Sequence, residues 1–412
     1  MSIDQASRHI DPNWWKTKST SRKLLSAAYR PGACVDLLKE SVDNCRTYGT
    51  RVRSGYGLRD LASDLYGQLV IAWSYGLDPE DWFSYRYWET DWQDVSTYSD
   101  ITLVQGWLNE TSAAPTHLSV CTGKIAFYRF CGAHEIPTIP VIGYAADGEY
   151  AQLSRGRNED PPRHALIVKP AAANRGDDIH VFSFDDGTYV DDDGAAWTWE
   201  ALTEDLARTS KRSDDALIVQ PLVRNDSSWQ RFTSGGLATV RLLTGRFPGG
   251  QVECLRASLR MPVGDSRIDN FSRGNLASAV DLDTGQLGPA VSKYPLPIGH
   301  SFPKHPDTET RIAGVPLSEW PSVRESALRL HERLKIPVLG LDVALTPRGV
   351  RVVEANPFYG RSSLEIPHGT SLSTTRFADV VRAWISAPDG ESKSAARMPQ
   401  HQSTMDTATS IP

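Results

Sequence analysis

The sequence predicts an α/β (α+β) protein with a mostly helical, aromatic-rich N-terminal region. Three observations carry this. Short apolar, β-branched runs bounded by Gly, Pro and Asp recur from about residue 136 to residue 356, as strands do. Leu and Ala fall at helical spacing in 58–73, 197–212 and 318–337. A hairpin pattern near the C-terminal end carries polar side chains inside apolar strands. At 412 residues, a typical size of about 100–200 residues per domain gives about two or three domains.

In chain order, residues 1–30 are polar and mildly basic, and read as an amphipathic arm or docking helix. The stretch from about 31 to 115 holds Trp73, Trp82, Trp88, Trp92 and Trp107 with Tyr75, Tyr85 and Tyr87, mostly in helical spacing. Those rings either pack a core or face a substrate, and the sequence leaves both open. A new pattern begins near 116, with a helix from about Gly123 to Cys131 and a strand after Ile136-Pro137. HALIVKP (164–170) is a buried strand bearing one cation, Lys169, and a small polar loop follows it. IHVFSF, ALIVQPLV, ATVRLLTGRF and QVECLRASLRMPV read as strands, and SAVDLDTGQLGPAV as a hairpin. The helix of 318–337 feeds the final hairpin, Val338–Leu345 and Val350–Glu354, across the turn Thr346-Pro347-Arg348-Gly349. Residues 389–412 are polar and Pro/Ser/Thr-rich, and read as a disordered tail.

Composition narrows the function. A hydrophobic content of 40% with 23% charged residues is that of a soluble globular protein. No apolar run is long enough to span a membrane, and the N-terminus does not read as a signal peptide. Cys34, Cys45, Cys121, Cys131 and Cys254 are odd in number and form no C-x-x-C pair, which favours reduced thiols in a cytoplasmic setting and disfavours zinc. A net charge of −6 gives no reason to expect nucleic acid. Walker A, protein-kinase and G-x-G-x-x-G motifs are absent.

The chemistry lies in polar residues placed against this apolar background. Asp342 sits mid-strand, while Glu354 and Asn356 are two apart and so share a face. Across a hairpin they converge as an oxygen-only set, which suits a hard cation such as magnesium, with manganese an alternative. The competing reading is an edge hairpin with solvated acids. Lys169 at a strand exit and Lys124 at a helix entry suit phosphate groups, though a strand-end lysine is often simply exposed. The strand ending at Pro221 reads as an inter-domain hinge whose backbone meets an adenine edge, or as one more core strand. Arg241 and Arg260 lie in apolar strands and need anions, either internal carboxylates or a substrate phosphate.

Over 116–385 these pieces together resemble the ATP-grasp superfamily, and more narrowly its sugar-transfer-associated, α-L-glutamate-ligase-like group. The motifs are Gly123-Lys124, Leu166–Pro170 with its glycine-bearing loop, Thr239-Val240-Arg241, Leu259-Arg260, Asp269-Asn270-Phe271, His305-Pro306-Asp307, Gly340-Leu341-Asp342 and Glu354-Ala355-Asn356-Pro357. The resemblance implies an ATP-grasp fold in which two subdomains, about 116–222 and 223–388, clasp ATP behind the N-terminal region, 1–115. It implies that Lys124, Lys169 and the loop glycine Gly176 meet the ATP phosphates. Gln220 and Leu222 would hold the adenine and Asp226 the ribose, while Asp342, Glu354 and Asn356 bind magnesium. Arg241 and Arg260 would act on the transferred phosphoryl group, and Arg175, Asn270 and Arg361 would touch substrate. The implied reaction joins a small-molecule carboxylate to an amine through an acyl phosphate; a small-molecule kinase and a non-catalytic nucleotide-binding protein are the alternatives. A homodimer is left open.

Overall fold

A computed structural model describes residues 31–53, 55–98, 101–153, 161–171, 178–213, 215–293 and 301–387. The arm of 1–30, the tail of 389–412, and Arg175 and Gly176 lie outside the described residues.

The N-terminal region is helical, as its spacing predicts. Helices α1 (Pro31–Val52) and α2 (Leu58–Val70) pair, and short helical turns lead to α3 (Ile101–Ser112) and α4 (Pro115–Thr122). The aromatic residues supply its core. Trp82, Phe83, Tyr87 and Tyr98 are buried together with Ile71 and Val95, and the rings of Tyr85, Tyr87 and Tyr98 meet one another at 5.3 Å. Buried Asp64 ties the helices, accepting from Arg53 at 2.8 Å, from Trp82 Nε1 at 2.9 Å and from the Tyr56 hydroxyl at 3.0 Å. Helix α5 (Lys124–Ala133) follows directly after Gly123, which sets Lys124 in its first turn.

Among the described residues the strands form two antiparallel sheets. The first contains β1 (Gly143–Ala146), β2 (Glu149–Gln152), β3 (Leu166–Pro170), β4 (His180–Asp185), β5 (Thr188–Val190), β6 (Ala196–Trp197) and β7 (Leu217–Pro221). Their order is β2-β1-β7-β3-β4-β5-β6. Helix α6 (Trp199–Ser213) covers one face, packing Leu202 and Leu206 on Leu166, Val168 and Val219.

The second sheet contains β8 (Thr239–Arg246), β9 (Val252–Met261), β10 (Leu276–Val280), β11 (Leu287–Ser292), β12 (Ser301–Phe302), β13 (Val338–Thr346) and β14 (Gly349–Asn356). Their order is β12-β11-β10-β9-β8-β13-β14. Strand alternation sorts its two faces. Val240, Leu242, Leu259, Leu341 and Val343 pack on Val323, Ala327 and Leu330 of α7 (Trp320–Arg333). At one end of the opposite face, Leu243 and Val338 meet Ile101 and Leu108 of α3 and Phe377 and Val381 of α8 (Arg376–Ser386). The middle of that face is polar, and there the site lies. Among the described residues no helix is long and apolar enough to cross a membrane.

Candidate active site

The final hairpin forms as the sequence predicts, with Gly349 taking a φ of 86° in the turn, a conformation that favours glycine. Its register pairs Asp342 directly with Glu354 and Gly340 with Asn356. A bulge follows Asp342, so one extra residue of β14 is accommodated there, which strand alternation does not foretell. The neighbouring strands extend the row: Asp342 lies opposite Arg241 of β8, and Arg241 lies opposite Ser258 of β9.

These side chains interlock. Arg241 grips Asp342 through Nε and through a second guanidinium nitrogen at 2.9 Å. Arg260 shares Asp342 Oδ2 with Arg241, reaching it at 2.7 Å, and meets Asp269 at 2.8 Å. Thr239 bridges them, donating to Asp269 and accepting from Arg260 at 2.9 Å. Asn356 donates to Glu354 Oε1 at 2.8 Å, and Arg241 stands 4.0 Å from that oxygen. Burial pushes the Asp342 pKa up, but Arg241 and then Arg260 outweigh it and hold the carboxyl well below the usual range. Glu354 shifts the other way: enclosure raises its pKa, and facing Asp342 raises it further. Its side chain keeps 44% of its surface open, so the carboxylate remains reachable.

Two facing carboxylates and an amide oxygen fit a hard divalent cation that completes its shell with phosphate oxygens. Among the described residues no cluster of three or more His, Cys, Asp or Glu forms a metal cage.

Lys169 at the end of β3 and Lys124 at the start of α5 supply two further cations. Burial lowers the Lys169 pKa to about 8, and Glu354 of the second sheet is the charge that most opposes the drop. Lys124 donates to the Pro170 and Ala171 carbonyls at 2.9 and 3.2 Å, at the base of the loop after β3. Burial lowers its pKa too, again opposed first by Glu354. Both lysines thus stand within the field of Glu354, which lies more than 180 positions further along the chain.

The structure employs other predicted residues differently. The Gln220 side chain donates at 3.4 and 3.3 Å to the Ile139 and Pro140 carbonyls, and the Leu222 N–H donates to Ala165 at 2.8 Å. Asp226 caps a helical turn by accepting from the Ser228 N–H at 2.9 Å. The Gln220 side-chain amide nitrogen, the Leu222 N–H and Asp226 Oδ1 make these bonds within the protein. Asn270 likewise caps a turn through the Ser272 N–H, and its neighbour Asp269 joins the site instead. Arg361 is enclosed by Asp81, by Glu365 at 2.9 Å and by the Tyr85 hydroxyl at 2.8 Å, which leaves its fork no room for substrate. Period two places Ser258 on the face of Arg260, a signal the sequence carried but the reading passed over.

The sugar-transfer associated ATP-grasp family model matches residues 108–380, about two thirds of the chain. The chain belongs to that family. No curated protein matches it by sequence. Solved structures similar to this ATP-grasp protein include D-alanyl-alanine synthetase A from Vibrio cholerae, 12% identical with a TM-score of 0.37 over 67% of this chain and 68% of that one. D-alanine–D-alanine ligase from Bacillus anthracis complexed with ATP gives 12% and 0.37 over 68% and 73%. L-amino acid ligase from Bacillus licheniformis gives 12% and 0.33 over 61% of this chain; the ATP-grasp chain spans only 44% of that structure's length. The assignment rests on the family match, with which the paired antiparallel sheets agree.

Proposed function

We propose that this ATP-grasp protein is an ADP-forming ligase that joins a small carboxylic acid to an amine in a biosynthetic pathway. The observation that carries the reading is that Lys124 and Lys169 stand within the field of Glu354, which is paired in register with Asp342, itself held by Arg241 and Arg260. Two lysines close enough to Glu354 to feel its charge, beside an oxygen-only set, suit a metal-bound triphosphate. We take 116–222 and 223–388 as the two subdomains.

In this reading Lys124 and Lys169 neutralise the ATP phosphates, and Asp342, Glu354 and Asn356 would hold magnesium. When bound, the metal supplies Lewis-acid stabilisation of phosphate oxygens. Arg241 and Arg260 stabilise the charge that develops as the γ-phosphoryl group passes to a carboxylate oxygen, forming an acyl phosphate and ADP. The amine then attacks the acyl carbon, loses a proton and expels inorganic phosphate. Both steps depend on positioning and fixed charge, so no nucleophilic side chain of the protein is consumed.

A screen of amino acids and uronic acids with amines, read as acid- and amine-dependent ADP release with mass analysis of products, tests the proposal. Hydroxylamine in place of the amine should trap a hydroxamate. A stable phosphorylated product, with no hydroxamate, would show a kinase instead.

A further inference from the structure

Helix α2 presents an apolar face that the described residues leave open. Leu58, Leu61, Ala62, Leu65, Tyr66 and Leu69 recur three and four apart, which sets them along one side of the helix. Leu58 is 85% exposed and Tyr66 67%, while Leu61, Leu65 and Leu69 are half-buried. The other side of α2 is already packed. Asp64, Gly67 and Gln68 are buried there, with the Trp82 ring against Gly67 and the Gln68 amide donating to Ser41 of α1 at 3.2 Å. Helix α1 continues the open face with exposed Val35 and Leu38 and half-buried Val42. Tyr48 turns one flank of α1 to Phe83, at 5.7 Å, and a helical wheel puts Val35 and Val42 on the opposite flank. An apolar stripe shared by two helices marks a contact surface.

Charge selects the occupant. Helix α1 exposes Asp36, Glu40 and Asp43, and Asp78 stands near Glu40; burial, then Asp78 and Glu80, raise the Glu40 pKa. That acidic row repels an anionic bilayer, and a second copy would bring the same row against it. Residues 1–30 carry the opposite sign, with Arg8, Lys16, Lys18, Arg22, Lys23 and Arg30 against Asp4 and Asp11. They also hold Ile10, Trp14, Trp15, Leu24, Leu25 and Tyr29. The segment joins α1 at Pro31, one turn before Val35, and so starts at the edge of the face. Thirty residues reach about 100 Å when extended, against about 33 Å for the length of α1. A tethered segment also meets its face at a far higher effective concentration than a separate partner does.

We propose that residues 1–30 dock back along this face. Leu24 and Leu25 cover Val35 and Leu38, Trp14 and Trp15 cover Leu58 and Tyr66, and the basic side chains lie toward Asp36, Glu40 and Asp43. The reading concerns a surface of the N-terminal region and stands apart from the proposed ligase chemistry.

Limited trypsin digestion of the full chain tests it, with cuts after Lys16, Lys18, Arg22 and Lys23 timed by mass against a synthetic peptide of residues 1–30. Docking should slow those cuts by about tenfold relative to the peptide. Leu58→Asp combined with Tyr66→Asp should restore the peptide's rate, and since both side chains are exposed the melting temperature should not move. Asp36→Lys combined with Glu40→Lys should lose part of the protection, and protection of the wild type should weaken as salt rises. Cleavage of the wild type at the peptide's rate, or equal protection in the Leu58/Tyr66 variant, would overturn the proposal. So would a dimer in sedimentation that this variant splits, or pelleting with phosphatidylglycerol–phosphatidylcholine vesicles that it abolishes, because the face would then belong to a second copy or to a bilayer.

Discussion

Asp342 is contested at the scale of single atoms. Arg241 and Arg260 both hold it, and the proposed metal needs it too. Its replacement by Asn strips the countercharge from two buried guanidiniums, so Asp342→Asn should destabilise the protein by about 3–5 kcal/mol, read by denaturant melts. Glu354 is half-exposed and paired chiefly with Asn356, so Glu354→Gln should leave stability within about 1 kcal/mol. It should nonetheless lower magnesium-dependent ADP formation by on the order of 100-fold. Full turnover in Glu354→Gln would remove the metal assignment. Lys169 is also sensitive to its surroundings, since its pKa falls to about 8 from 10.5. A lowered lysine pKa means the ammonium is present below that value and lost above it. ADP affinity by calorimetry should therefore fall as pH rises through about 8, with a midpoint displaced upward because the bound phosphates favour the charged form. Lys169→Ala should bind ADP weakly and show no such slope.

Among the elements, the hairpin of β13 and β14 is held from outside by α3. Fully buried Asn109 donates to the Val338 and Pro357 carbonyls at 3.0 and 2.8 Å, and accepts from the Val338 N–H at 3.2 Å. Gln105, one turn earlier, donates to the Tyr359 carbonyl at 2.7 Å. One helix thus grips the start of that hairpin and the chain just beyond it. Asn109→Ala should cost about 2–4 kcal/mol, because it leaves several buried backbone groups unmet, and should weaken manganese binding measured by electron paramagnetic resonance. A loss of stability with manganese affinity intact would reduce the clamp to plain scaffolding. The strands were legible because apolar alternation and a glycine turn report local geometry. The bulge after Asp342 and the grip of Asn109 were not, since both depend on partners outside the hairpin.

For the molecule as a whole, the helical N-terminal region is seated on the ATP-grasp module by buried charge. Arg361 binds Asp81, Glu365 and Tyr85, Lys293 meets Glu80 at 3.0 Å, and Ser371 donates to the Thr97 carbonyl at 3.0 Å. Arg361→Met abandons two buried carboxylates, and should cost about 3–5 kcal/mol with faster proteolysis between residues 78 and 98. A contact of another kind joins loops of the two sheets, where Arg267 of the β9–β10 loop reaches Asp192 of the β5–β6 loop with both ends of its fork. Both partners are exposed, so Asp192→Asn should change stability by less than about 1 kcal/mol.

Sequence alone was enough for the α/β character, the strands and helices of the module, and the residues that can carry charge into an apolar setting. Periodicity and turn chemistry are local properties of a chain, and the Asp342, Glu354 and Asn356 set could be read within one hairpin. Folding decided how those charges are spent. It spent Arg361 on docking the N-terminal region, Asn270 and Asp226 on capping turns, and the Gln220 amide on the chain just before β1. It also brought Asp269, Ser258 and Tyr359 to the arginines. A buried charge takes whichever partner the tertiary structure sets within a few ångströms, and distance in space is not written in local pattern.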